Sequence, residues 1–216
     1  GFYRPSAVFG GDLWGHIKLS EGRDLIFIGD AAGTGTQASI VVSMAYAACK
    51  AMESQVQANQ LTPADILRQL NRVIYQSIKG SVCMTFFVGI FDLNEGQLTF
   101  ANAGHNFPLL IPTDRKDVRV ESNLVKMGIK GKESNLLTLH QSSVPVGIQS
   151  KPDYRNHILP LHPGDKYIFY SDGLVECQSP EGVAWGKKTL GDQLLDLAKL
   201  PASEVRDEIK RRAFRF

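Results

Sequence analysis

The chain has 216 residues, 43% hydrophobic and 21% charged, which suits one domain with a full core and excludes the low-hydrophobicity, high-charge class of disordered chains. Lys and Arg number 24 against 22 Asp and Glu, a net charge of +2, so no broad basic field exists to hold a polyanion and nucleic acid is not an implied partner. The three cysteines, Cys49, Cys83 and Cys177, lack C-x-x-C spacing and read as reduced thiols, neither a disulfide framework nor a zinc site.

In chain order, Asp12 to Leu19 alternates loosely, turns at Glu21-Gly22-Arg23 and resumes as Leu25-Ile26-Phe27-Ile28, predicting a β-hairpin with a buried second strand that ends at Gly29-Asp30. From about Gln37 to Gln57 the chain is Ala-rich and apolar on most sides, predicting one helix buried deep in the domain. Thr62-Pro63 reads as cap and first residue of a second helix, with Ile66, Leu67, Leu70, Val73 and Ile74 on its apolar face. From Cys83 to Phe91 the period is two. A turn at Asn94-Glu95-Gly96 and a return strand from Leu98 to Ala101 make this the clearest hairpin.

Shorter strands are expected at Leu109 to Ile111, Val118 to Glu121, Leu136 to Leu139, Tyr154 to Leu159 and Lys166 to Tyr170. Helices are expected at about Leu190 to Lys199 and Ala202 to Ala213. Residues 112 to 135 read as the most mobile stretch. Strands that come as hairpins, with helices in two batches, argue for α+β layers over a parallel sheet. No stretch approaches the roughly 18 apolar residues of a membrane span, and the start has no leader pattern, so the chain reads as cytoplasmic. The basic stretch Lys210, Arg211, Arg212 and Arg215 reads as a solvated helix face.

Asp12, Asp30 and Asp172 stand at expected strand ends beside glycines, in Gly10-Gly11-Asp12, Gly29-Asp30-Ala31 and Ser171-Asp172-Gly173. Carboxylates so placed can point into a cleft while the turn backbone approaches a ligand. Several of them, without a Cys/His cluster, suit Mg²⁺ or Mn²⁺, which prefer oxygen ligands. Asp-Gly and Gly-Asp also mark ordinary turns, so spacing alone leaves that reading open.

The segments PSAVFGGDLW (Pro5 to Trp14), IGDAAGTG (Ile28 to Gly35), FFVGIFDLNEGQLTFANAGHNFPLL (Phe86 to Leu110), VPVGI (Val144 to Ile148) and DKYIFYSDGLVECQSPEGVAWG (Asp165 to Gly186) resemble, in order and over almost the whole chain, the motif series of SpoIIE/RsbU-type PPM phosphatases, relatives of protein phosphatase 2C. The ANAGHN and SDGLVE blocks are the most specific. The resemblance implies an α+β fold, an antiparallel β-sandwich flanked by helices, and a single phosphatase domain over residues 1–216. It further implies two Mn²⁺ or Mg²⁺ ions and hydrolysis of phosphoserine or phosphothreonine by a metal-activated water. Asp30 would bridge the metals, the Ala31 carbonyl would be a neighbouring ligand, and Asp12 and Asp172 would each hold one ion. His105 and Asn106 border the family's cleft. His105 is expected either to contact phosphate or metal-bound water, or to fix a turn by hydrogen bonds.

Implied partners are a phosphorylated anti-sigma-factor antagonist or a similar small signalling protein, sensor or receiver domains in a longer polypeptide, and a second copy in a homodimer. Three departures stand out. Thr34 occupies a position that is usually histidine, Gly15 one that is often a second aspartate, and the family's closing Asp-Asp-x-Thr strand, with its further ligand, is not in this sequence. The last departure leaves two expectations: a domain cut from a longer protein without its final strand, or a pseudophosphatase that acts as a binding module. Gly-x-Gly at 33–35 is not followed by Gly-Lys-Ser/Thr and so is no P-loop. Trp14 and Trp185 are expected to pack in the core or its rim.

Overall fold

The computed structural model describes residues 1–3, 10–113, 124–127 and 136–216. The strand expected at Val118 to Glu121 and most of the stretch 112–135 lie outside the described residues. The elements are antiparallel sheets and helices, the expected α+β class. The chain divides into two compact units: a larger one, Arg4–His105 with Gln141–Leu161, and a smaller one, Gly1–Tyr3 with Asn106–His140 and His162–Phe216.

The larger unit is built on a five-stranded sheet, ordered β1 (Asp12–Ser20), β2 (Arg23–Ala31), β3 (Met84–Asp92), β4 (Gln97–Ala103) and β8 (His157–Pro160). Alternation drives this order. Leu13, Ile17, Leu19, Leu25, Phe27, Ala31, Phe86, Val88 and Ala101 are buried in one cluster with residues of three helices: α1 (Thr36–Ala51), α2 (Glu53–Gln57) and α3 (Pro63–Ile78). Side chains of the other parity, Asp12, Asp30 and Thr85 among them, project from the opposite face.

The long helix expected from Gln37 to Gln57 is in fact two, broken at Met52, and α1 buries a single stripe: Ala38, Val41, Ala45 and Cys49. Ile40 and Tyr46 are 51% and 47% exposed on its outer side. Deep burial is therefore a correction. Alanines pack well but mark no face, so an Ala-rich helix hides its own amphipathicity. Helix α3 starts as expected, with a full capping box: the Asp65 N–H donates to Thr62 Oγ1 at 3.3 Å and the Thr62 N–H to Asp65 Oδ2 at 3.0 Å. Its buried stripe takes Asn71 and leaves Val73 exposed. Asn71 satisfies its amide at both ends, donating to the Gln149 carbonyl and accepting from the Gly147 N–H, at 2.9 and 2.8 Å.

The smaller unit has a four-stranded sheet ordered β6 (Leu124–Lys126), β7 (Leu137–Leu139), β5 (Leu109–Ile111) and β9 (Lys166–Ile168). It also contains α4 (Asp172–Val175), α5 (Gly186–Asp196) and α6 (Ala202–Ala213). Its core joins Leu109, Ile111, Tyr170, Trp185, Leu190, Leu194, Val205 and Ile209. Trp185 is thus core, whereas Trp14 is 41% exposed on β1. Helix α6 has the bounds expected from its periodicity, and α5 begins four residues earlier than expected, at Gly186.

Two outcomes follow for stability and reactivity. The Thr62 hydroxyl, chiefly, holds the Asp65 carboxyl below its ordinary range. Thr62→Ala should cost about 1 kcal/mol in urea unfolding at neutral pH. A depressed folded-state pKa gives stability that is present above the unfolded value and lost as pH falls through the folded one, so the gap between variant and parent should narrow in acid. Burial pushes the Cys49 thiol up to about 12. Mass mapping after alkylation at pH 8 should therefore find Cys49 unlabelled in the folded protein and labelled in denaturant.

Candidate metal centre

Register places the acidic residues. Strands β1 and β2 pair with Asp12 opposite Asp30 and Leu13 opposite Gly29. Beside them, the Ala31 N–H donates to the Gly11 carbonyl at 2.9 Å. Hydrogen-bonded and non-hydrogen-bonded pairs alternate along an antiparallel ladder, so Asp12 and Asp30 form a non-hydrogen-bonded pair, the closer of the two kinds. Their carboxylate oxygens lie within 4.8 Å of each other, and both residues are half-buried. Like charges directly opposite each other on one face destabilise a sheet. A divalent cation between them reverses the sign of that term, and oxygens at this spacing suit a hard ion.

Gly11 shapes the space. A Cβ there would sit 2.9 Å from the Ala31 carbonyl oxygen and 3.0 Å from Asp30 Oδ1. The bare glycine lets both oxygens gather over its backbone, and one of the two is the carbonyl singled out from the sequence. The donor set, carboxylates with a backbone carbonyl and no sulfur, fits Mg²⁺ or Mn²⁺. Gly15, one of the departures from the resembled motif series, answers a different need: a Cβ there would lie 2.1 Å from the Phe27 ring. Phe27 stacks with Phe86 at 6.0 Å in the core, so the ring occupies the space a side chain would need. Thr34 is exposed in the loop that follows β2.

His105 is 4% exposed. Its N–H donates to Asn102 Oδ1 at 2.8 Å, its carbonyl accepts from Asn102 Nδ2 at 3.1 Å, and its ring Nδ1 lies 2.9 Å from Thr85 Oγ1. These are turn-fixing hydrogen bonds. Sequence reasoning passed over Thr85 and Asn102. Thr85 stands directly opposite Asp30 on β3, a pairing between strands separated in the chain by α1 to α3, so no local signal marks it.

Asn106 and Asp172 belong to the smaller unit. Asn106 is half-buried just before β5. Asp172 is half-buried and opens the single turn of α4 after Ser171, so it stands at a helix start, whereas the sequence pointed to a strand end.

The fold defined here is that of protein phosphatase 2C. The chain is similar to the solved SiaA-PP2C domain of Pseudomonas aeruginosa, with a TM-score of 0.75, 22% identity, and coverage of 98% of this chain and 76% of that one. It is also similar to the phosphatase domain of SpoIIE from Bacillus subtilis, with a TM-score of 0.66, 17% identity, and coverage of 95% and 54%. The family model described as "Stage II sporulation protein E (SpoIIE)" matches residues 20–215, and the chain belongs to that family. Among curated proteins it is 26% identical over 178 residues to the phosphoserine phosphatase RsbU of Bacillus subtilis, covering 82% of this chain and 46% of that protein. It is 23% identical to protein IcfG of Synechocystis over 89% of this chain and 31% of that protein. The chain thus spans less than half the length of these curated relatives.

Gly11→Ala should weaken Mn²⁺ binding at least tenfold by calorimetry, since its Cβ displaces the oxygens that gather there.

Proposed function

We propose that this chain is a metal-dependent phosphoprotein phosphatase that hydrolyses phosphoserine or phosphothreonine on a bacterial signalling protein. The observation that carries the reading is the facing Asp12–Asp30 pair with the Ala31 carbonyl beside Gly11. In this reading Asp30 would be the bridging ligand and Asp12 would hold one ion; Asp172, at the start of α4, is the remaining carboxylate of the proposed ligand set. Two Mn²⁺ or Mg²⁺ ions would supply an activated water and neutralise charge on the phosphoryl group.

The chain's own residues position and orient. Asp12 and Asp30 project from paired strands, which hold their carboxylates more rigidly than a loop would. The exposed loop Ala32 to Gly35 borders Asp30 and leaves room for a phosphorylated side chain to approach. Cys49 is buried with its thiol protonated and lies outside the reaction.

The substrate in this reading is a phosphorylated anti-sigma-factor antagonist or a similar small protein, in the cytoplasm, and control comes from sensor or receiver domains and from pairing of two copies. The support is membership of the SpoIIE family and similarity to RsbU, whose name gives it phosphoserine as substrate.

Hydrolysis of p-nitrophenyl phosphate and of a phosphoserine peptide should require Mn²⁺ or Mg²⁺ and stop in EDTA. The peptide should be preferred over free phosphoserine. Asp30→Asn should lower turnover by at least about a hundredfold in folded protein, more than the usual loss for an outer-shell partner. Turnover that survives Asp30→Asn would remove the bridging role. Silence of folded, metal-loaded protein toward all substrates would leave a binding module.

A further inference from the structure

We propose that Thr85 and His105 form a hydrogen-bonded brace behind Asp30, and that Thr85 is a positioning residue for the metal centre. This rests on the reading of Asp30 as a metal ligand. Thr85 lies directly across the ladder from Asp30, with its side chain on the same face of the sheet. Its Oγ1 is 2.9 Å from His105 Nδ1 and 3.4 Å from the Asp30 carbonyl oxygen, the weaker contact of the two.

The direction of the chain follows from proton count. A carbonyl only accepts, and a hydroxyl has one proton to give. For both contacts to be hydrogen bonds, Thr85 must donate to Asp30 and His105 must donate to Thr85 through a protonated Nδ1. The backbone that carries the ring is fixed in a turn, and His105 is buried. The Asn102 amide binds both the N–H and the carbonyl of His105, and the Asn102 carbonyl accepts from the Ser143 N–H at 3.0 Å.

The brace therefore runs from a buried turn, through one imidazole and one hydroxyl, to the backbone carbonyl of Asp30, on the strand that carries the Asp30 carboxylate. Partners hydrogen-bonded directly to a ligating side chain account for about 10–100-fold in metal affinity, and a brace on the ligand's backbone belongs at the lower end of that range. On this reading His105 acts through Thr85 and does not contact substrate.

The first test needs no variant. In metal-free protein, ¹⁵N NMR of the His105 ring should show Nδ1 protonated; an unprotonated Nδ1 overturns the chain as drawn. The second is Mn²⁺ binding by calorimetry. Thr85→Val keeps the β-branched shape and should weaken binding about tenfold with the thermal melt retained, while Thr85→Ser should recover most of the loss. Asp30→Asn serves as the reference. If Asp30→Asn loses Mn²⁺ and Thr85→Val binds it as the parent does, the brace is refuted and the metal centre stands. If Asp30→Asn binds Mn²⁺ unchanged, the metal reading falls and the brace falls with it.

Discussion

Asp12 and Asp30 face each other across an antiparallel ladder, and the larger unit is arranged so that this pair cannot slip out of register. The hydrophobic alternation of β1 and β2 is what prevents it. Leu13, Ile17, Leu25 and Phe27 must face the helices, and a shift of one residue would turn them outward and carry Asp12 and Asp30 into the apolar core. Burial of those side chains, at roughly 1.5–3 kcal/mol each, outweighs the roughly 0.2–1 kcal/mol repulsion of a like-charged pair. Apolar packing is therefore strong enough to hold two carboxylates opposite each other at this register.

The same logic extends to what backs β2. Its end is held on both sides: the Ala31 N–H bonds to Gly11, and the Ala32 N–H bonds to the Cys83 carbonyl at 2.8 Å. Met84 pairs with Ala31 on one side and exchanges backbone hydrogen bonds with Val146 on the other, at 2.9 and 2.8 Å. Val146 lies in the VPVGI segment, which Asn71 ties to α3 through Gly147 and Gln149. A buried asparagine with its amide satisfied at both ends gives direction that apolar packing lacks. The helix layer thus reaches the strand that carries Asp30 through polar contacts as well as through packing.

Hairpins were the legible part of this chain. Their period of two and their turns at Glu21-Gly22-Arg23 and Asn94-Glu95-Gly96 are local, so β1 to β4 follow from neighbouring residues alone. The break at Met52 and the exposed side of α1 were not legible, because alanine marks no face. Asp12 and Asp30 stood out through their glycines, yet what brings them together is register, which a turn and a hydrophobic pattern only jointly determine. Thr85 and Asn71 were overlooked for one reason. Each is a polar residue inside an apolar pattern, and its meaning lies in partners at a distance: Asn71 is 78 residues from Gln149, and Thr85 is 20 from His105. Asp172 was noticed through its block but placed on a strand end, since a four-residue helix has too short a period to announce itself.

Rigidity and access are divided between adjacent stretches of one segment. Up to Ala31 the chain is a ladder strand with hydrogen bonds on both edges, a setting that holds the Asp30 side chain in a fixed place. From Ala32 to Gly35 it is an exposed loop with positive φ at Gly33 and Gly35, where, among the described residues, no atom lies within 4 Å of where a Cβ would stand. A site made only of strand would bind an ion and leave little room for a phosphorylated side chain. A site made only of loop would admit the side chain and hold the ion loosely. Placing the change from one to the other just after Asp30 lets a single turn of sequence meet both needs, and it explains why glycines crowd the acidic residues without being ligands themselves.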